Sequence, residues 1–385
     1  MVTMKRCNIC VIPAYPLENV QLLKDRIVIP YVCYKHFGSS MTIVTQKNGE
    51  YPYLDYFQGI SLVFLPCSEK SHMQAAEQYV EQNYADIDML FLFGARLEYI
   101  EIARIYKSLN PAGIIYLKLD ANAGWMNALP LEDETYADFL YGADIVSCES
   151  RRLQSFLIKK WKRRIEYVPN GVYYPFYPSM CMCRYEEKEN LILTVGRIGS
   201  AQKNSHVLLY AYAMAFPFFK ENWKLVMVGS ITPEFQELYD AFCKEFPEIS
   251  AHIRLTGQIN DRERLCSYYR KAKIFALTSQ MEGGCPNVFV EAAGHGCTVI
   301  TTNIDAAPDM TDNGRLGRIV DDFKDIPTYA RALSGLCEDK AYLERNFYDM
   351  RTYIEEYFND DHIAERLHIL FELSGSGQNG GRVET

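Results

Sequence analysis

Short apolar runs punctuate the chain, and longer stretches of helical spacing separate them. The first half carries "NICVIP", "SMTIVTQ", "ISLVFLP", "DMLFLFG", "GIIYLKLD", "ADIVSCES" and "IEYVPN". The second carries "NLILTVGRI", "WKLVMVGS", "AHIRLTGQI", "KIFALTSQ", "CTVITTNI" and "GRIVDD". Runs of this kind read as strands buried on both faces, and the amphipathic stretches between them, such as "PEFQELYDAFCKEF", read as crossover helices. The periodicity breaks over "YYPFYPSMCMCRYEEKEN", which holds two prolines, several aromatics and an acidic run. The pattern predicts an α/β chain with a first Rossmann-like domain over residues 1–172, a linker at 173–189 and a second Rossmann-like domain over 190–354. A long amphipathic stretch follows, whose helix at about 355–373 is expected to cross back to the first domain, and 374–385 reads as a disordered tail. Two doubly wound domains imply a cleft between them, with ligands at the carboxyl ends of the strands.

Length and composition narrow the function classes. A chain of 385 residues exceeds what one core usually holds. The net charge of −9 argues against a dedicated nucleic-acid binder. Twelve cysteines are scattered, and Cys181 and Cys183 lack a second pair at zinc-binding spacing, so reduced thiols and a cytoplasmic location are expected. No signal-like pattern precedes "RCNICVIPAYP", and no apolar segment is long enough to span a bilayer. "RRLQSFLIKKWKRR", Arg151 to Arg164, concentrates seven cations. Two readings stay open for it: a helix in peripheral contact with an anionic membrane, or a domain helix whose apolar stripe packs on the sheet while its cations are solvated.

Two strand ends carry candidate chemistry. "LTVGRIGSAQKN" ends a strand at Gly196 and continues through Arg197, small residues and Lys203 into a helix. Backbone amides and the helix start favour an anion there, with Arg197 as a fork and Lys203 as a point charge. The bland alternative is a turn with two solvated cations. A Walker loop is missing, and no G-x-G-x-x-G follows a strand. "TSQMEGGCPNVFVEAAGHG" ends a second strand, turns on Gly283 and Gly284, and places Pro286 at a helix start. It sets Glu282 before the turn and Glu291 inside the helix, where each could accept sugar hydroxyls or simply be a surface acid.

The ordered set of these segments, with "LTG" before an amphipathic helix and "DAAPDMTDNGRLGRIVDD" beyond, resembles the donor half of retaining glycosyltransferases of family 4, which have the GT-B fold. "YVPNGV" resembles the segment closing that family's first domain. The resemblance implies that Arg197 and Lys203, beside Gly196, bind a donor diphosphate. It implies that Gly257, Gln258 and Ile259 line the base pocket. Glu282 with Gly283, Gly284 and Cys285 would hold the transferred sugar, Asn287 and Val288 would offer amides to the phosphates, and Glu291 would bind the ribose. Two departures stand out. Eight residues separate the two acids where the family has seven, and the first domain lacks the family's histidine. "IIYLKLDANAGW" offers Lys118, Asp120 and Asn122 in that region, and Asp120 or Lys118 is read as the stand-in, with an Asp-capped turn as the alternative. Glu18, Asn19 and Arg26 lie where an acceptor pocket is expected by fold analogy, and Tyr15 and Trp125 either stack on an acceptor sugar ring or are packing aromatics.

The reaction implied is a retaining, metal-independent transfer of a hexose from a nucleoside-diphosphate sugar, UDP-sugar first, to a glycan or lipid-linked acceptor. Surface polysaccharide or glycoconjugate assembly is the expected setting. No cofactor and no metal are expected, because the nucleotide sugar is a substrate and the cations supply the charge. A catalytically silent nucleotide-sugar-binding protein and a GT-B nucleotide-sugar epimerase are the alternatives.

Overall fold

The computed structural model describes residues 7–66 and 71–375. They form two compact units. The first runs to Tyr173 and resumes at Asp360, and the second is Tyr174–Asn359.

Each apolar run quoted above is one strand. The first unit holds β1 (Cys7–Val11), β2 (Gly38–Gln46), β3 (Ser61–Leu65), β4 (Met89–Phe93), β5 (Ile114–Lys118), β6 (Ile145–Cys148) and β7 (Glu166–Tyr167). Their order is β3-β2-β1-β4-β5-β6-β7, all parallel. The second unit holds β8 (Glu189–Val195), β9 (Lys224–Val228), β10 (Ile253–Leu255), β11 (Ala272–Leu277), β12 (Thr298–Thr302) and β13 (Gly317–Val320). Their order is β10-β9-β8-β11-β12-β13, again parallel. The central strands are apolar on both faces because helices cover both; every residue of β4 and β12 is buried. This is the doubly wound α/β architecture, twice over, that the GT-B resemblance implies.

In each sheet the winding direction reverses beside the unit's first strand. β1 lies between β2 and β4, and β8 lies between β9 and β11. Chains that wind outward in both directions leave a crevice at the carboxyl ends of the two strands flanking the reversal, the place where open α/β sheets bind ligands. One crevice therefore follows β1 and β4, and the other follows β8 and β11.

Three sequence expectations are refined by packing. The stretch 173–189 is not a bare linker. It forms short helical turns at Tyr174–Phe176, Pro178–Cys181 and Tyr185–Glu187. Met180 and Cys183 are buried, and Arg351 donates to both their carbonyls at 3.0 Å. From Tyr174 on, the prolines and aromatics that broke the periodicity serve as turn and packing residues of the second unit, while Tyr173 packs on Tyr31 in the first. The long C-terminal stretch divides into helices Lys340–Tyr357 and Asp360–Gly375. The second of these packs in the first unit, with Phe371 against Phe37 at 5.2 Å and Tyr116 at 5.9 Å. Residues 376–385, most of the expected tail, lie outside the described residues.

The basic helix Arg151–Trp161 spends its apolar stripe on the core. Leu153, Leu157 and Trp161 are buried in the first unit's cluster, with Phe156 packed against it. Arg163 donates to the carbonyls of Leu140 and Ala143 at 2.7 Å each, and Lys160 reaches the Asn127 side chain at 2.8 Å. Ile158 is the large apolar side chain this helix leaves exposed. Among the described residues no helix is long and apolar enough to cross a membrane.

Candidate active site

The second unit's crevice gathers the cations and the first acid of the motif. After β8, Gly196 donates its N–H to the Val228 carbonyl at 2.9 Å. Its missing side chain leaves room for Lys203, whose Cε lies 3.3 Å from where a Cβ would stand. Ser200 and Lys203 continue the turn by N–H bonds to Arg197 and Ser200 carbonyls at 3.2 and 3.0 Å. Asn204, in a left-handed conformation, starts the helix Ser205–Ala215. The turn after β11 is stitched to this loop. Gln280 donates its N–H to the Gln202 carbonyl at 2.9 Å, and the Thr278 hydroxyl donates to the Lys203 carbonyl at 3.0 Å.

That stitching builds one hydrogen-bonded chain from residues far apart in sequence. Lys203 Nζ stands 2.5 Å from Glu282 Oε1, and Gln202 Nε2 is 3.0 Å from Oε2. The Ser279 hydroxyl donates to Oε1 at 2.5 Å, and Arg197 Nη2 donates to Gln202 Oε1 at 2.6 Å. Glu282 is buried, whereas Arg197 is exposed at the open end of the chain. A charged hydrogen-bond network in a half-buried site is preorganised for exchange of one anion for another. Sequence reasoning missed Gln202 and Ser279, although Gln202 lies inside the quoted "GSAQKN". Between the acids Gly284 takes φ +71, a conformation glycine adopts without a Cβ clash.

The other donor-side candidates divide. Asn287 and Val288 open the helix Asn287–Gly294, with Pro286 at the N-cap position and Cys285 buried beneath. Gly257, φ +71, lies in open space after β10, beside exposed Gln258 and half-buried Ile259. Glu291 differs from its expected setting. Its two carboxylate oxygens accept hydrogen bonds from Tyr177 and Tyr269 hydroxyls at 2.9 and 2.8 Å. Arg262 lies over the Tyr177 ring at 4.0 Å. Burial and the Glu291 charge push both tyrosine hydroxyls well above their ordinary range. In this structure Glu291 ties the 173–189 segment to its own helix, rather than presenting two free oxygens to a ribose. Tyr177 was missed because it lies in the stretch read as linker.

In the first unit, the strand-end residues of β5 form a buried ionic cluster. Lys118 is fully buried, 2.6 Å from Glu149, 3.3 Å from Asp25 and 3.0 Å from the Asn170 side-chain oxygen. Burial pulls its ammonium down, but the Glu149 and Asp25 carboxylates outweigh that and hold it charged. It is a buried counter-ion and is not offered to an acceptor; the expectation of an acceptor contact is corrected here, because two distant acids claim the charge. Asp120 follows with φ +44, its N–H donating to Glu149 at 3.0 Å. Burial, then the Asp25 and Glu149 charges, push its carboxyl up to about 8. Asn122 is buried and caps the short helix Ala123–Asn127 by accepting the Trp125 N–H at 2.9 Å, a structural task that the sequence did not assign. Trp125 and Tyr15 are exposed, and the Tyr15 hydroxyl donates to Glu98.

With this geometry in hand, residues 189–339 match the family model described as Glycosyl transferases group 1. That segment contains every donor-side candidate named above. The chain is 26% identical over 191 residues to spore coat protein SA of Bacillus subtilis, covering 48% of this chain and 49% of that protein. It is 28% identical over 196 residues to the capsular polysaccharide biosynthesis glycosyltransferase CapM of Staphylococcus aureus, covering 49% of each. The chain thus spans about half the length of the curated relatives it matches. Among solved structures, Anabaena HepE in complex with UDP and glucose superposes with a TM-score of 0.72 at 14% identity, over 95% of this chain and 100% of that one, which establishes the shared fold.

Proposed function

We propose that this protein is a retaining glycosyltransferase that moves a hexose from a UDP-sugar to a glycan or lipid-linked acceptor in surface glycoconjugate assembly. The observation that carries the reading is the Arg197–Gln202–Glu282–Lys203 chain at the second sheet's switch point. Support for the setting comes from the capsular polysaccharide role in CapM's name, and support for the donor from the UDP in the HepE complex.

Loss of a nucleoside diphosphate concentrates negative charge on the β-phosphate and positive charge on the anomeric carbon. In the proposed mechanism the diphosphate replaces the Glu282 carboxylate as the partner of Lys203, while Arg197 swings from Gln202 to the same phosphates. Glu282, released, accepts sugar hydroxyls. Preorganised cations of this kind stabilise the departing charge without solvent reorganisation, in the role a divalent ion could otherwise play. The acceptor hydroxyl attacks on the face the diphosphate leaves, so configuration is retained and the departing phosphate oxygen takes the proton. Asp120, neutral below about pH 8, would donate a hydrogen bond to the sugar or acceptor. Gly257, Gln258 and Ile259 would line the base pocket, with Asn287 and Val288 amides at the phosphates. No bound cofactor is assigned to the reaction.

The test is turnover of UDP-sugars, including the slow release of UDP without acceptor. An Arg197→Ala, Lys203→Ala double variant should lose at least ~10²-fold in rate, the scale reported for one lost oxyanion donor. Full turnover in that variant would overturn the assignment.

A further inference from the structure

The first sheet's switch-point crevice, after β1 and β4, is a cavity of about 30 Å³ lined by Ile12, Pro13, Tyr15, Arg26, Phe93 and Arg96 among others. Two guanidiniums face it from separate elements. Arg26, in the first turn of the helix Asp25–Phe37, lies over the Phe93 ring at 4.5 Å. Its Nε is buried and has no hydrogen-bond partner among the described residues. A buried donor left unpaired costs roughly 1–3 kcal/mol unless something fills it. Arg96 reaches the cavity from the other side, over the Tyr15 ring at 5.3 Å. The turn after β4 aims it there: Gly94, φ +90, donates its N–H to the Lys118 carbonyl at 2.7 Å, and a Cβ on it would stand 3.1 Å from Arg96 Nε.

The acids nearby are Asp25, Glu98 and Asp120; burial with the Asp25 and Glu149 charges pushes the Asp120 carboxyl up to about 8, and it also feels the Arg26 charge. Asp25, next to Arg26 in sequence, is turned to Lys118 at 3.3 Å. Glu98 is held by the Tyr15 hydroxyl and sets one negative charge beside Arg96. Phe93 and Ile12 keep the floor apolar, so a charge bound here is poorly screened. The space suits a few-atom head group and is too small for a sugar ring.

We propose that this crevice binds an oxyanion group, phosphate or carboxylate, carried by the acceptor, with Arg26 and Arg96 as its two forks. The acceptor of the transferase is then an anionic sugar or sugar phosphate, its ring outside the cavity. This deepens the glycosyltransferase reading and rests on it for the word acceptor; binding itself does not.

Calorimetric titration at fixed ionic strength tests it with four probes: glucose 6-phosphate, glucuronate, neutral glucose and UDP. Wild-type protein is compared with Arg26→Gln and with Arg96→Gln; Arg96 is exposed, so its replacement spares the core should Arg26→Gln disturb it. One or both anionic sugars should bind at least ~10-fold tighter than glucose, and each variant should lose ~10-fold or more of that affinity while UDP binding is unchanged. The phosphate and carboxylate arms say which oxyanion is preferred. Equal affinity for glucose and the anions, or anion binding indifferent to both substitutions, overturns the proposal. If UDP fails to bind while the anions bind through these arginines, the donor reading fails and this one stands. If UDP binds and the anions do not, the reverse holds.

Discussion

Asp120 shows what a single side chain inherits from its neighbours. Its sequence context, "LKLDANAG", suggests a capped turn, and an Asp in a solvated turn would ionise in the ordinary carboxylate range. The fold buries it, and the repulsion of Asp25 and Glu149, 95 and 29 residues away along the chain, adds to the effect of burial. Its carboxyl therefore holds its proton up to about pH 8. A raised carboxyl pKa means the folded state binds more protons than the unfolded one. Its contribution to stability is therefore greatest in mild acid and declines as pH rises from the unfolded range, near 4, through about 8. Asp120→Asn should flatten that decline. Melting temperatures of both proteins between pH 5 and 9 check it, and parallel curves would refute the shifted proton. The sequence offered Asp120 or Lys118 as the stand-in, with Asp120 on the catalytic side and Lys118 on the acceptor side. Only the third dimension separated them, by giving Lys118 two carboxylates and leaving Asp120 with like charges.

Between elements, the decisive contacts are backbone to backbone. Gly229, at the end of β9 with φ +140, lies so close to β8 that a Cβ would fall 1.7 Å from the Gly196 carbonyl oxygen. Neither partner is a flexible side chain, so a methyl group there must displace the loop that carries Arg197. Gly229→Ala should cost about 1–3 kcal/mol, the usual scale of overpacking, with a further strain from the positive φ. It should also weaken UDP binding, because Arg197 follows Gly196. Urea denaturation and a UDP titration read the two effects; unchanged affinity would mean that the loop tolerates the shift. The strands themselves were legible, since residues buried on both faces make continuous apolar runs. The tie between the loops after β8 and β11 was not, because it runs through the Gln202 and Lys203 carbonyls, groups every residue carries.

Across the whole molecule, the chain leaves its first unit at Tyr173 and returns at Asp360. The returning helix supplies Ile363, Ala364, Leu367 and Phe371 as buried residues. Ending the chain at Asn359 should therefore expose the aromatic face around Phe37 and destabilise the first unit, while the second, complete without that helix, keeps its own transition. Scanning calorimetry should resolve this as the loss or lowering of one of two transitions. A uniform shift of a single transition would show that the units melt as one. The sequence by itself determined the thirteen strands seen among the described residues, the doubly wound class and the glycines and cations at the strand ends, because periodicity and residue type are properties of neighbours along the chain. Tertiary structure alone decided that a supposed linker holds Glu291 and that two arginines share a crevice. Those facts depend on which distant groups meet. Charge, burial and hydrogen-bond partnership are set by distance in space, which one-dimensional spacing does not encode.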